Sequence, residues 1–214
     1  MPTNNISDGL ALSEISTSND IFYFGGEPLI PSGIPWPISA NGNSMNHVFT
    51  ISTSLINKYT NLFSPENKVI SIFSDNSYIG DLCESPDIVE KHFSKIILSN
   101  PKESTHPTPG DIEAYPKRYL NTIKNTDGSF IGGKPQWLQQ ANINKRGDMD
   151  VLKDYTFLLQ FQGTEITESI GKRIDQNGSW FFTNNIFEDS VLYIYIHNEY
   201  VKNEPIGVFS LQMT

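Results

Sequence analysis

The stretch FGGEPLIPSGIPWP (residues 24–37) decides the fold, together with its shorter copy IGGKP (residues 131–135), about half the chain later. Glycine reaches positive φ without a Cβ clash, and a proline two residues on fixes φ near about −65°. Each Gly-Gly-x-Pro therefore predicts a sharp, rigid turn after a strand. A phosphate-binding loop would need Ser or Thr after Lys134, but Pro135 and Gln136 follow it. A structural turn is the favoured interpretation.

Further features recur in the same order around both copies. Aromatic residues precede each turn and a tryptophan follows it, Trp36 and Trp137. Two apolar strand-like segments come next in each half: HVFTIS (47–52) and KVISIF (68–73), then YTFLLQF (155–161) and VLYIYIH (191–197). The order predicts an internal duplication, with halves at about residues 20–100 and 125–214 inside one domain that covers residues 1–214.

Composition and pattern predict an α+β, strand-dominated fold with mixed or antiparallel sheets from the two duplicated halves and a few short helices. Only 18% of residues are charged, and much of the polarity comes from Asn, Ser and Thr, which favour turns and strand ends. Helices are predicted for SLINKYTNLF after a cap at Ser52 or Thr53, for DIVEKHF after Ser85-Pro86, and for residues 111–124. NTDGSF and DQNGSW predict hairpin turns at residues 125–130 and 175–180. Residues 29–37 are expected to run as extended chain that Trp36 pins to the core.

The net charge of −9 restricts the partners. Nucleic-acid binding needs clustered Lys and Arg, and an anionic membrane repels an acidic protein, so we expect neither partner. The same charge attracts basic partners. A single cysteine, Cys83, the absence of a signal-peptide pattern at the start and the absence of a long apolar run predict a cytoplasmic protein.

The sequence contains no pattern for catalysis or metal binding. There is no Gly-x-Ser-x-Gly motif, and Cys83 is expected to be a small buried apolar side chain. The four histidines are scattered. His47 and His197 border strands in the two halves, so a shared site between them is a minor alternative. A calcium loop around Asp148 lacks the required Gly and distal Glu. We therefore predict no enzyme, no cofactor and no metal.

With these motifs together, the chain resembles the YwqG-like family, a bacterial group of unassigned function. The resemblance runs from about residue 22 to 208 and rests on the two Gly-Gly-x-Pro turns, the Pro-Trp-Pro segment and Gln-Trp-Leu-Gln (136–139). It implies a strand-dominated α+β fold and carries over no catalytic residues. The segment 179–196 departs from the family pattern because it lacks a Trp-Gly-Asp-x-Gly turn. Some relatives resemble immunity proteins, which neutralise a toxin by covering it.

We therefore expect a non-enzymatic immunity protein that binds a basic bacterial toxin directly. The predicted contact loops are residues 38–46 and 141–154. The predicted contact side chains are all acidic: Asp148, Asp150, Asp154, Glu165 and Glu168. The alternative is a small-ligand binder or hydrolase with a cleft between the two halves, which a filled interface between them would count against. A structural protein without a dedicated ligand is a third hypothesis.

Overall fold

A computed structural model describes residues 7–60, 62, 67–75, 94–103, 105–112, 114–124, 128–136, 154–170, 173–174, 180–181, 190–198 and 207–213. For residues 169–170, 173–174, 180–181 and 207–213 it describes the backbone alone. The strands are β1 (Ser7–Ser13), β2 (Phe22–Phe24), β3 (Asn46–Ser52), β4 (Val69–Ser74), β5 (Ser94–Ser99), β6 (Arg118–Ile123), β7 (Phe130–Gly132), β8 (Tyr155–Gln162), β9 (Arg173–Ile174), β10 (Trp180–Phe181), β11 (Ser190–His197) and β12 (Gly207–Met213). The helices are α1 (Thr53–Tyr59) and α2 (Gly163–Ile170).

Ten strands form one sheet in the order β12-β11-β8-β7-β1-β6-β2-β3-β4-β5. The edge strands β5 and β12 contact each other, so the sheet curls back on itself. Strands β9 and β10 form a separate two-stranded sheet. The predicted strand-dominated fold with few short helices is confirmed. Every pairing among the described strands is antiparallel, so the mixed sheet that the prediction also allowed is not present there.

The main core lies on the concave face of this sheet, which both helices cover. Apolar side chains from the strands meet Leu55 and Ile56 of α1 and Ile166 of α2 there. The predicted helix after Ser52 is confirmed: the Ser52 side chain accepts a hydrogen bond from the Leu55 amide, which caps the first turn. The helix ends at Tyr59, earlier than the sequence pattern indicated.

The two parts of the chain contribute their elements in the same order. β1, β2, β3, α1, β4 and β5 correspond to β6, β7, β8, α2, β11 and β12, and the sheet order reads the same from either edge under this exchange. Each third strand also carries a bulge at the same place, because the register skips Val48 in β3 and Leu158 in β8. The β1–β6 pair forms the seam between the two parts.

Two sequence predictions are corrected here. Residues 111–124 are not helical: 114–117 have no regular structure, and Arg118–Ile123 form the central strand β6. Pro116 stands just before that strand, where a proline is acceptable. NTDGSF does not close a hairpin, because β6 and β7 do not pair with each other and β1 lies between them. DQNGSW does join paired strands, β9 and β10. The helix predicted after Ser85-Pro86 lies outside the described residues.

Candidate partner-binding surface

The Gly-Gly turns are structural, as predicted. Gly25, Gly26, Gly132 and Gly133 all have positive φ. The Gly25 amide donates to the Val48 carbonyl and the Gly26 amide donates to the Tyr115 carbonyl. A Cβ on Gly25 would lie 2.5 Å from the Pro116 carbonyl oxygen, so a side chain has no room. Because both amides of the first turn are used internally, this turn has no free donors with which to hold an anion.

A buried polar chain lies beneath the segment that follows the first turn. His47 Nδ1 is 3.0 Å from the Gly26 carbonyl oxygen, and His47 Nε2 is 2.9 Å from Thr50 Oγ1. Thr50 Oγ1 is 3.1 Å from Ser71 Oγ. A carbonyl only accepts, so Nδ1 carries the proton and Nε2 accepts from Thr50. The Thr50–Ser71 approach is then a polar contact without a hydrogen of its own, because Ser71 donates its one hydrogen to the Leu29 carbonyl. Burial lowers the pKa of His47 to about 4, and the nearby Lys117 charge acts in the same direction.

Hydroxyl groups from the sheet hold corresponding backbone carbonyls after the two Gly-Gly turns, those of Leu29 and Gln136. Ser71 and Ser99 donate to the Leu29 carbonyl, each at 3.0 Å. Gln136 follows the second turn at the same spacing as Leu29 follows the first. Its backbone carbonyl accepts a hydrogen bond from the Tyr193 hydroxyl at 2.9 Å. The backbone N–H of Gln136 also donates to the side-chain oxygen Oε1 of Gln160. These polar side chains therefore fasten the chain across the convex face of the sheet, which is a structural role.

Residues 28–45 form a segment over that face, which we name the arm. Trp36 packs edge-on against Phe73, and its Nε1 donates to the Met45 carbonyl at 2.8 Å. The Met45 amide donates to the Pro37 carbonyl at 3.0 Å. The prediction that Trp36 pins this segment to the core is confirmed. The arm leaves two large apolar side chains exposed, Ile34 at 43% and Ile38 at 60%.

The described acidic residues of the predicted contact set fall into two groups. Glu168 is exposed on α2, whereas Glu165 is half-buried and accepts from Ser129 Oγ at 2.7 Å. Burial raises the pKa of Glu165, and the Glu168 charge adds to the rise, while the Ser129 hydrogen bond opposes it. Asp154 is exposed just before β8. Asp148 and Asp150 lie outside the described residues, as does most of the predicted contact loop 141–154.

Strand directions show which of these features lie together. Because all neighbours are antiparallel, β1, β2 and β8 run the same way and end at one end of the sheet, where β3 begins. We name this the arm end: it holds the two roots of the arm and the start of α2. Asp154 lies at the opposite end, about 25 Å away along the eight residues of β8. The structure thus places Glu165 and Glu168 at the same end of the sheet as the predicted contact loop 38–46, although on the other face, and separates them from Asp154.

The described residues do not support the alternative sites that the sequence suggested. His47 lies where β3 begins, at the arm end, whereas His197 lies at the opposite end, against Tyr155 at the start of β8, so the suggested shared site is wrong. Three or more His, Cys, Asp or Glu side chains converge nowhere in the described part of the chain. Within that same part, neither helix has the length and apolar character needed to cross a membrane.

Sequence reasoning missed the two exposed isoleucines and the serines that fasten the arm. The contact prediction stressed acidic residues, whereas the arm contains no charged residue at all. That absence was a readable signal, because charged residues are depleted in the buried centres of interfaces. Ser71 and Ser99 gave no comparable signal, since their partner Leu29 is remote in sequence.

The fold and this surface define a strand-dominated protein with a clamped, uncharged arm at one end of the sheet, where acidic side chains are also exposed. Neither a protein-family model nor a curated protein matches the sequence.

Proposed function

We propose that this chain is a YwqG-like protein of two duplicated halves that acts as a cytoplasmic immunity protein and neutralises a basic bacterial toxin by direct binding. It does so at the arm end, without catalysis. The matching element order and the matching bulges at Val48 and Leu158 support the duplication.

The acidic side chains at the arm end carry the binding proposal. Glu14, Glu27 and Glu168 are exposed there, with Glu165 half-buried beside them. The described cations at this end are Arg118, which lies 3.8 Å from Glu14, Lys117, which lies over the Tyr23 ring, and Lys95, which is exposed near the start of β5. In a chain with a net charge of −9 this arrangement attracts a basic protein and speeds its association.

The seam between the two parts speaks against a ligand cleft as the alternative function. The cleft hypothesis needs a concave gap between the halves. Instead, β1 and β6 are hydrogen-bonded along their length, and Leu10 and Leu120 from these two strands are buried in the core. The seam is therefore filled, which favours binding at the surface.

The test measures binding of purified, catalytically disabled toxin domains of basic charge from the same genome. We expect at least one to bind, with a rate constant of association that falls as salt rises. Glu168→Lys is expected to slow association about tenfold, because it reverses a charge at the arm end.

Asp154→Lys is the matched control. It makes the same change of charge at another exposed position, but at the opposite end of β8. Equal slowing by both variants would remove the assignment to the arm end. If wild-type protein bound none of the basic toxin domains, the immunity proposal itself would be wrong.

A further inference from the structure

We propose that the arm is the apolar anchor of the interface, and that Ile34 and Ile38 insert into an apolar recess on a basic protein partner. This inference rests on the proposed function and names the side chains that hold the partner once charge has brought it close. Acidic side chains then set how fast the complex forms, and the arm sets how long it lasts.

The composition of the arm is that of an interface centre. Charged residues are depleted in the buried centres of interfaces, because desolvating an unpaired charge is costly. Residues 28–45 contain no Asp, Glu, Lys, Arg or His. Of the four large apolar side chains that are exposed in the described part of the chain, two lie on this arm, at Ile34 and Ile38.

The arm is held in one shape before a partner arrives. The Ile34 amide donates to the Pro31 carbonyl, and the Ser39 amide donates to the Asn43 carbonyl. Ile38 and Ser44 form a β-bridge that closes the tip. Trp36 and Met45 fix the tip to the sheet from below. A surface ordered in this way loses little conformational entropy on binding, so its apolar contacts contribute more fully to affinity.

Charge complementarity identifies the partner as basic and not as a second copy of this chain. Two copies would bring together net charges of −9 each and repel, whereas a basic protein is attracted to this chain, in which exposed Glu27 stands directly before the uncharged arm. A dimer is therefore an outcome to be tested and not the expectation.

The experiment measures dissociation of the purified basic toxin domains from wild-type protein and from Ile34→Asp and Ile38→Asp. Each substitution makes the chain more acidic, which by charge alone favours a basic partner. We expect dissociation to be at least about thirtyfold faster with little change in the rate constant of association, as for a lost anchor residue. Both positions are exposed, so folding should be retained, and thermal unfolding checks this.

Ile123→Asp is the control, because Ile123 is 42% exposed, like Ile34, but lies where β6 ends, opposite the arm end. Wild-type binding that is unaffected by both arm substitutions would overturn the arm as anchor and leave the proposed function intact. No binding by wild-type protein would overturn both. If light scattering found a dimer of the wild-type chain that the arm substitutions dissociate, the arm would serve self-association and the proposal would fall.

Discussion

His47 shows how one buried side chain serves the structure. It is 4% exposed, and both ring nitrogens have partners within its own part of the chain. At the position of β8 that corresponds to His47 stands Phe157, opposite Tyr195 as His47 stands opposite Phe73. An apolar ring therefore fills this place in one half, and a neutral imidazole with two hydrogen bonds fills it in the other.

Protonation of His47 is expected to govern part of the pH dependence of stability. Burial lowers its pKa from 6.5 to about 4 in the folded protein. The unfolded chain therefore takes up a proton first, so stability is fully present above pH 6.5 and falls as the pH drops towards about 4. The full loss is about 3 kcal/mol for this group. Urea unfolding between pH 4 and 7 measures it.

His47→Gln separates this contribution from those of the acidic residues. The amide keeps a donor and an acceptor but does not titrate, so the variant is expected to be less stable at pH 7 and to lose less stability on acidification. If both proteins lost the same free energy of unfolding between pH 6.5 and 4, His47 would not be the group responsible.

At the scale of elements, local pattern predicted what local interactions determine. The cap at Ser52 and the apolar face of Leu55, Ile56 and Tyr59 are short-range features, and α1 forms there. β6 was mistaken for a helix because its pattern is ambiguous and its partners β1 and β2 are remote in sequence. In the same way, no short-range signal indicates that β1 separates β6 from β7. The sequence allowed acidic contact residues to be chosen by residue type. It did not show that they lie at two different ends of β8, because that depends on the direction of the strand in the sheet.

The two serines that fasten the arm are expected to act as a pair. Ser71 and Ser99 both donate to the Leu29 carbonyl, so either single change to Ala leaves one donor in place. Each single variant should lose about 1 kcal/mol of unfolding free energy or less. The double variant leaves a buried carbonyl without these donors and should lose more than the two single losses together.

A double-mutant cycle by urea unfolding measures this coupling. The pair Ser71→Ala and Ser129→Ala is a suitable control and should be additive, since Ser129 donates to Glu165 and shares no acceptor with Ser71. Additive losses from Ser71→Ala and Ser99→Ala would show that the two hydroxyls do not share one acceptor.

At the scale of the whole molecule, the first strand of each part of the chain, β1 and β6, forms the seam and pairs with the second strand of the other part. β6 pairs with β2 just as β1 pairs with β7, and β1 pairs with β6 at the centre. Residues from β2 through β6 therefore form a continuous lobe in sequence. The other lobe, β7 through β12 together with β1, is continuous only in space. In the first lobe, a covalent link connects β5 to β6. The equivalent strands of the second lobe are β12 and β1, the last and first described strands of the chain, which no such link connects.

This correspondence predicts that the chain tolerates circular permutation. Residues 100–117 bridge β5 and β6, so a linker that gives β12 and β1 a connection of similar length should span the equivalent gap. About eleven Gly and Ser residues between Thr214 and Met1 meet that requirement. New termini are placed between Lys102 and Glu103, in the irregular link after β5. We expect the permutant to keep the strand-rich circular dichroism spectrum and to lose no more than about 2 kcal/mol of unfolding free energy, because the β1–β6 seam is unchanged.

A second permutant with termini between Phe49 and Thr50 cuts β3 and should not fold. A permutant opened at Lys102 that also fails to fold would show that β5 and β6 must be covalently joined, and the equivalence of the two lobes would then not extend to their connections.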